Sequence, residues 1–358
     1  MALELAILNS QHEKAYEELL MDCPSAMLYH SLAYRSFLKD FLPSHSEDHY
    51  LLAFENGQLV GALPTFIIHG PNGTALNSLP FFGSHGSIIL AKNTNPETAS
   101  FLARALYEFC ITQKIVFATV IDTPFIDNEE LFQRNLGFQY KDYRIGQLTA
   151  LPEAKNINDI SEYLLSMYHQ KTRNIVRKAL GSGLNFDYDQ SKLTLDALHA
   201  LHEQNILGIG GIAKPKCFFK SISRHFQSDI DYRIYTARNE SNEIVCALML
   251  LYFKDMVEYF VPATANLWRS SQPLSALIHI AMRDAVLERG AKIWNWGGTW
   301  PTQDGVYHFK SRWGTKNHPY KYYIRVFPDE NRLLDVNKIS MLNNYPWFYT
   351  VPFAILEK

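Results

Sequence analysis

The residues best suited to chemistry stand close together in the segment 291–316, AKIWNWGGTWPTQDGVYHFKSRWGTK. An apolar run, KIWNW, ends at Gly297 and Gly298, and a backbone without side chains lets a ligand approach closely. The residues that follow add two hydroxyl groups, a carboxylate and two cations: Thr299, Asp304, Tyr307, Lys310 and Arg312. A tight turn would explain the glycines alone, but it explains the neighbouring cations less well. The segment therefore predicts a ligand site that opens at the end of a strand.

Basic residues also gather in 159–182, a mostly helical segment by its pattern of apolar residues. Its first half has one apolar stripe, formed by Ile160, Tyr163, Leu164, Met167 and Tyr168. Its second half carries four cations opposite another stripe, namely Lys171, Arg173, Arg177 and Lys178. Arg173 and Arg177, spaced i, i+4, project the same way, and guanidinium groups bind phosphate or carboxylate bidentately. Two interpretations stay open, an anion clamp and a solvated basic helix face.

Other reaction types find less support in the sequence. The glycine-rich loop GSHGS (83–87) is not a G-x-S-x-G nucleophile elbow, and it is expected to form a wall rather than a serine–histidine pair. His199 and His202 have no third ligand nearby, so they are predicted to be core or surface residues, and no metal site is expected. Neither a P-loop nor G-x-G-x-x-G occurs, which leaves nucleotide hydrolysis and nicotinamide chemistry without support.

The elements that must position these residues follow a plan that occurs twice. Each copy has a β-hairpin, a helix, a buried strand and a segment ending in glycine. In the first copy these elements lie at 50–69, 97–112, 114–121 and 132–137. In the second copy they lie at 232–253, 273–289, 292–296 and 309–314. This duplication predicts α/β domains at 1–150 and 151–330, followed by an aromatic tail at 331–358. Because Gln133 stands where the second copy has Lys310, we expect chemistry in the second domain and a degenerate cleft wall in the first.

Composition limits the partners and the compartment. The 358 residues include 34 Lys or Arg and 36 Asp or Glu, a formal net charge of −2, so DNA binding or bulk RNA affinity is not expected. The cysteines are isolated, as core thiols of a reducing compartment are: Cys23, Cys110, Cys217 and Cys246. No signal peptide or transmembrane run is evident, which predicts a cytoplasmic protein. The aromatic tail 343–358 is expected to pack on its own domain, with peripheral membrane or partner contact as the alternative.

Three stretches together resemble the Fem family of nonribosomal peptidyltransferases, within the FemAB-like, GNAT-related acyltransferases: KTRNIVRKAL (171–180), KIWNWGGT (292–299) and GVYHFKSRWGT (305–315). The stretch LPFFGSHGSIIL (79–90) is similar more loosely. The resemblance implies an α/β (α+β) fold of two tandem GNAT-like domains, with mixed sheets flanked by helices and an acceptor cleft between the domains. It also implies transfer of an aminoacyl or acyl group to an amine, in cell-wall peptidoglycan or polysaccharide biosynthesis.

The resemblance also implies roles for single residues. Lys310 matches the family's lysine that meets the acyl donor, and Tyr259 matches a tyrosine near the acceptor. Lys214 and Phe218 stand where the family has Arg-x-x-x-Tyr, so the charge is kept but the bidentate fork and the hydroxyl are lost. The helix start at Arg269 lacks the glycines with which a GNAT enzyme cradles the pyrophosphate of acyl-CoA, although Arg269 itself is suited to bind phosphate.

These observations lead to one functional hypothesis with two alternatives. Lys310 is predicted to stabilise the oxyanion or a donor phosphate, Tyr259 and Asp304 are catalytic candidates, and Glu258 is a further candidate base. The phosphates of a nucleotide-linked sugar or muropeptide acceptor are expected to meet Lys171, Arg173, Arg177 or Lys214. The donor is aminoacyl-tRNA, held at its acceptor end, or acyl-CoA, and no cofactor is expected to be tightly bound. The alternatives are an acyl-CoA-dependent N-acyltransferase of a surface-polysaccharide pathway and a non-catalytic binding module.

Overall fold

The computed structural model describes residues 2–80, 85–328 and 336–356. Contacts divide the chain into two units, residues 1–144 with 319–358 and residues 145–318. The sequence instead places the boundaries at 150 and 330. The difference arises because residues 322–326 pair antiparallel with residues 117–121. A strand that follows the second unit along the chain thereby completes a sheet of the first, and no local sequence pattern reveals such a return.

The first unit contains short strands and amphipathic helices. Its strands are β1 (Leu3–Ile7), β2 (Ser46–Asp48), β3 (Leu51–Glu55), β4 (Gln58–Leu63), β5 (Phe66–Gly70), β6 (Gly73–Asn77), β7 (Ile89–Leu90) and β8 (Ile115–Ile121). Its helices are α1 (Glu13–Asp22), α2 (Leu32–Phe41), α3 (Glu97–Thr112), α4 (Glu129–Asn135), α11 (Lys338–Asn344) and α12 (Phe353–Leu356). Strand β9 (Tyr140–Ala150) begins in this unit and β15 (Thr315–Val326) ends in it.

Two sheets organise the first unit. One is antiparallel, in the order β1–β3–β4–β7. The other runs β15–β8–β6–β5–β2, with β6 and β8 parallel and the remaining neighbours antiparallel. Helix α3 packs its apolar face on the core of this unit through Leu102, Ala103, Leu106 and Cys110. Burial of these side chains is part of the hydrophobic burial that stabilises the unit.

The second unit carries the segment singled out for chemistry. Its helices are α5 (Ile160–Met167), α6 (Gln170–Leu180), α7 (Lys192–Leu207), α8 (Lys216–His225), α9 (Pro273–Arg289) and α10 (Asp304–Ser311). Its further strands are β10 (Asn185–Tyr188), β11 (Tyr232–Arg238), β12 (Ile244–Phe253), β13 (Met256–Thr264) and β14 (Ile293–Thr299). A 3-10 turn, Asn266–Ser271, links β13 to α9.

A single mixed sheet spans the second unit in the order β10–β11–β12–β13–β14–β9. The pairs are antiparallel except β13 with β14, which run parallel. Helix α9 begins at Pro273, whose fixed φ suits the first helical position. Its residues Leu277, Ile278 and Ala281 are buried in the core that also holds Trp294 and Trp296. This helix connects the two parallel strands, as a crossover between such strands requires.

Much of the expected architecture is confirmed. The hairpins β3–β4 and β11–β12, the helices over 97–112 and 273–289 and the mixed α/β class all appear as the pattern predicts. The segment 159–182 is mostly helical, as expected, and consists of two helices, because Tyr168 is extended and the His169 side chain caps α6 by accepting from the Lys171 amide. Tyr163, expected in the buried stripe, is exposed, whereas Ile160 and Leu164 of that stripe are buried.

The C-terminal segment packs on the first unit. The Tyr345 hydroxyl donates to the Gly73 carbonyl at 2.8 Å, and Asn77 exchanges two hydrogen bonds with the Tyr349 backbone. Of the cysteines, all free, three are buried as expected and Cys217 is exposed, because it lies on the outer face of α8. Within the described ranges, no helix is both long enough and apolar enough to cross a bilayer.

Candidate functional site

The parallel strands β13 and β14 separate partway along their length. Their register runs from Met256 opposite Ile293 to Glu258 opposite Asn295, and no ladder pairing joins the described residues beyond that point. Strand β13 continues beside β12 with a bulge at Phe260, and β14 continues beside β9 with an irregularity after Asn295. The carboxyl ends of the two strands therefore enclose a wedge. In open α/β sheets this is the end of the strands at which ligands bind.

A chain of hydrogen bonds sets the backbone at the wedge. The Asn295 amide nitrogen donates to both carboxylate oxygens of buried Glu258, at 3.1 and 2.9 Å. The Asn295 amide oxygen accepts from the Gly297 backbone N–H at 2.9 Å. Gly297 has φ +70°, the left-handed region that favours glycine, and a Cβ placed there would meet no heavy atom within 4 Å. Open space thus adjoins the glycine where a ligand is expected to approach.

Lys310 lies in α10 and points its ammonium at the end of β14. Its Nζ donates to the Gly298 carbonyl at 3.2 Å, to the Gly297 carbonyl at 3.4 Å and to the Thr299 hydroxyl at 2.9 Å. The side chain is buried, with 6% of the residue exposed, and burial lowers the pKa of Lys310 to about 8. None of the described ion pairs includes it. A compact cation is therefore held beside the wedge by neutral acceptors alone.

Tyr259 lines β13 immediately beyond the point where the strands part. Its ring is half-buried, and its centroid is 5.0 Å from that of Trp296 on β14. Burial raises the pKa of Tyr259 well above its usual range. The phenol is therefore protonated near neutral pH, which suits it to donate a hydrogen bond or present an aromatic face rather than to act as a base.

The remaining candidates from the 291–316 segment lie on α10 and just after it. Asp304 is exposed at the first residue of the helix, six residues and thus about 9 Å of helix rise from Lys310. The Tyr307 hydroxyl accepts from Asn317 at 3.0 Å. Arg312 is exposed, and its carbonyl accepts from the His169 backbone N–H at 2.9 Å. The structure thus brings Lys310 together with Gly297, Gly298 and Thr299, whereas Asp304 is not among the contacts of Lys310.

The cations of α6 begin beside this turn, since His169, which caps α6, bonds to the Arg312 carbonyl. Lys171 is exposed, and half-buried Arg173 donates to the Ser166 carbonyl at 3.5 Å. Arg177 forms an exposed ion pair with Glu162 at 3.0 Å. Such a pair contributes little to stability, so an anionic ligand would displace it at small cost. Both interpretations of this helix face remain compatible with these contacts.

Lys214 lies near strand β13, from which two aromatic rings separate it. It precedes α8, and its ammonium lies 5.8 Å from the centroid of Phe218, which stacks at 5.8 Å on the bulge residue Phe260. Burial lowers the pKa of Lys214 to about 8. Arg269 is exposed in the 3-10 turn after β13, just before Gln272, whose φ of +55° precedes Pro273. A second lysine and an arginine thus adjoin the C-terminal half of β13.

Sequence reasoning missed the part played by Asn295. The run KIWNW predicts a buried strand, and that pattern assigns no role to the polar residue within it. A lone amide in an otherwise apolar strand is itself a signal, because a buried polar group requires hydrogen-bond partners. Part of the looser resemblance at 79–90, including Gly83 and Ser84, lies outside the described residues. The described His85 and Ser87 both contact Asp122 rather than each other.

Comparison with solved structures defines the fold. The chain is similar to a protein described as FemX, with a TM-score of 0.69 and 14% identity over 89% of this chain and 96% of that one. It is also similar to a tandem GNAT protein from the clavulanic acid biosynthesis pathway, with a TM-score of 0.57 and 10% identity over 92% and 100% of the two chains. The tandem GNAT-like fold and the likeness to the Fem family are therefore confirmed at the level of the fold.

A third solved structure is also similar to the chain. It is the C-terminal domain of a putative lysylphosphatidylglycerol synthetase from Agrobacterium fabrum, with a TM-score of 0.57 and 13% identity over 96% of this chain and 100% of that one. No protein-family profile and no curated protein sequence matches the chain. The likeness to the Fem and tandem GNAT proteins thus rests on structure.

Proposed function

We propose that the second unit transfers an acyl or aminoacyl group from an activated donor to an amine. The observation that carries this proposal is the buried ammonium of Lys310, held beside a wedge between parallel strands and next to the open space at Gly297. A fixed cation in a site of low dielectric is worth far more to a developing negative charge than the same cation in water. Acyl transfer to an amine passes through such a charge, on the oxygen of a tetrahedral intermediate.

The reaction requires few groups from the protein. The amine nitrogen attacks the carbonyl carbon of the donor, and the C–O bond of an ester or the C–S bond of a thioester then breaks. The proton lost by the amine passes to the departing oxygen or sulfur. Lys310 stabilises the oxyanion, and Tyr259 on β13, whose phenol stays protonated, donates a hydrogen bond to a reacting group. Glu258, buried beneath the wedge and bonded to Asn295, holds the site in shape.

The donor we favour is an aminoacyl-tRNA, bound chiefly through its acceptor end. The helix start after the 3-10 turn offers Gln272 and Pro273 instead of a glycine-rich cradle, and proline contributes no backbone donor for a pyrophosphate. One observation favours acyl-CoA as a second candidate. Where the parallel strands β13 and β14 separate, their edges expose backbone groups. These groups can pair with an extended amide chain such as pantetheine.

The acceptor we favour is an amine on a nucleotide-linked sugar or muropeptide, of the kind used in cell-envelope biosynthesis. Its phosphates would meet cations of the second unit, among them Lys171 and Arg173 on α6 and Lys214 before α8. The Arg177–Glu162 pair would open if Arg177 joined them. Lys214 in place of a guanidinium favours a single phosphate contact over bidentate recognition.

Mass spectrometry of the acceptor tests the proposal. The protein is incubated with charged tRNA or with acetyl-CoA, and with amine-bearing uridine diphosphate sugars and muropeptides. A mass gain equal to one acyl group, absent with Lys310→Met, supports the proposal and identifies the donor. Wild-type protein that modifies no acceptor in this panel with either donor, although it is folded, contradicts it.

A further inference from the structure

The segment that links α7 to α8 exposes a set of large aliphatic side chains. Leu207, Ile209 and Ile212 are 62%, 76% and 66% exposed, and Leu267 in the 3-10 turn after β13 is 93% exposed. Two hydrogen bonds between Asn205 and the Thr264 backbone, at 2.8 and 3.0 Å, tie the end of α7 to the end of β13. The four side chains therefore belong to neighbouring segments. We call them the aliphatic patch.

The aliphatic patch is presented by an ordered backbone. The amides of Ile209, Gly210 and Gly211 donate to carbonyls within the same turn, at 3.2, 3.0 and 2.9 Å. Gly210 has φ +71°, which a glycine adopts without strain. Because these three amides are bonded within the turn, they carry no unpaired donor into an apolar environment that the side chains enter.

The chain segment that carries most of the aliphatic patch is basic. Residues 204–228 contain four Lys or Arg and no Asp or Glu, in a protein whose formal net charge is −2. On α8, Lys216, Lys220 and Arg224 recur at a spacing of four on the exposed face, while Phe218 and Phe219 are buried. Lys216 pairs with Asp196 of α7 at 2.8 Å. A basic row thus runs beside the aliphatic patch.

We propose that this surface docks the protein on an anionic lipid bilayer. Exposed aliphatic side chains next to a row of cations match the interface of a membrane, whose acyl chains accept the first and whose acidic headgroups attract the second. Nucleic acid fits less well, since single strands bind by stacking on aromatic side chains and the patch has none. The aromatic tail, for which membrane contact was the alternative to packing on the protein, is packed on the first unit in its described part.

The position of the patch gives the docking a consequence. Thr264, to which α7 is tied, ends the strand that carries Tyr259 and forms one side of the wedge. A protein docked through this surface would have its wedge close to the headgroups of the bilayer. This deepens the proposed function, on which it rests: of the acceptors proposed above, it favours a muropeptide anchored at a membrane over a soluble nucleotide-linked sugar.

Vesicle co-sedimentation of the intact protein tests the docking without any turnover. We expect binding to phosphatidylcholine vesicles that contain phosphatidylglycerol, weak binding to phosphatidylcholine alone, and release of the bound protein as salt is raised from about 0.1 to about 1 M. Ile209→Ser with Ile212→Ser is expected to lower the partition coefficient about tenfold. Lys220→Gln with Arg224→Gln is expected to lower it at least tenfold.

Matched variants on the first unit control for general effects. Ile339, 73% exposed on α11, is replaced by Ser, and exposed Lys14 on α1 is replaced by Gln. Both are expected to bind like wild type. Absence of binding to the anionic vesicles at low salt, or equal loss in the control and patch variants, would overturn the docking. The docking would also be overturned if the protein bound tRNA but not vesicles and the patch variants abolished that tRNA binding. Because lipid binding is measured apart from acyl transfer, its failure would leave the proposed reaction standing.

Discussion

At the scale of single residues, the site depends on a buried charge that has no carboxylate partner among its described contacts. Lys310 donates to two carbonyls and one hydroxyl, which satisfy its hydrogens but do not neutralise it. Holding a cation in this way destabilises the fold, because its hydration is lost. Proteins commonly keep a destabilising arrangement where it serves a function, and positioning a charge for a transition state is one such function.

Stability should therefore depend on pH through Lys310. Its folded-state pKa of about 8 lies below the unfolded value of 10.5, so between these pH values the unfolded chain binds more protons and the free energy of unfolding rises with pH. Over that range wild type is expected to gain up to about 3 kcal/mol relative to Lys310→Met. Urea unfolding of both proteins at pH 8, 9 and 10 measures the difference. Parallel dependences on pH in the two proteins would show that the lysine is not held as described.

The sequence predicted Lys310, Gly297 and Gly298 because glycines and a cation in a fixed order have few purely structural explanations. It did not predict how they meet. The lysine is twelve residues from Gly298, and their contact depends on the angle at which α10 returns to β14. Sequence spacing gives the order of residues along the chain, whereas that angle is set by packing of Trp296, Phe309 and Trp313.

At the scale of elements, the site depends on two parallel strands that separate after three paired residues. The bulge at Phe260 in β13 and the irregularity after Asn295 in β14 turn each strand toward its other neighbour. The sequence predicted β14 and the helix α9 before it. It did not predict the separation, because a bulge changes one residue of register and leaves the pattern of apolar residues nearly unchanged.

Gly297→Ala should separate backbone strain from function. A Cβ at Gly297 meets no atom within 4 Å, so the cost is that of a left-handed alanine, about 1 kcal/mol. Gly183 has φ +77° and equally open surroundings, so Gly183→Ala is a matched control with the same expected loss of stability. Only Gly297→Ala is expected to lower acyl transfer, by about tenfold or more. Equal activity of the two variants would show that the space beside Gly297 is not used by substrate.

At the scale of the whole molecule, the chain leaves the second unit at residue 319 and ends on the first. The sequence shows the duplicated plan. It does not show that the final strand returns to the first unit, because pairing between residues two hundred positions apart leaves no local sequence pattern. Hydrogen bonds secure the return. Asn77 on β6 donates to and accepts from the backbone of Tyr349, at 2.8 and 2.7 Å, in a buried setting.

Asn77→Ala should therefore weaken the whole first unit. The substitution leaves the buried amide of Tyr349 without its partner and its carbonyl with the Thr119 hydroxyl alone, and we expect a loss of about 2 kcal/mol in the free energy of unfolding. Asn135→Ala is the control, since its amide donates to the Leu131 carbonyl of its own helix and its loss should cost under about 1 kcal/mol. Chemical denaturation followed by tryptophan fluorescence compares them. An equal cost for the two would mean that the C-terminal segment contributes little to the fold.

The most direct test of the central claim is the pH profile of kcat/KM for acyl transfer by wild type, Lys310→Met and Lys310→Arg, with Lys292→Met as an exposed control. We expect Lys310→Met to lower kcat/KM about a hundredfold, or about 3 kcal/mol of barrier. The wild-type rate is expected to fall above a pH of about 8, where the pKa of Lys310 lies, while Lys310→Arg keeps partial activity without that fall. A Lys310→Met enzyme within about threefold of wild type across the whole profile would contradict the assignment.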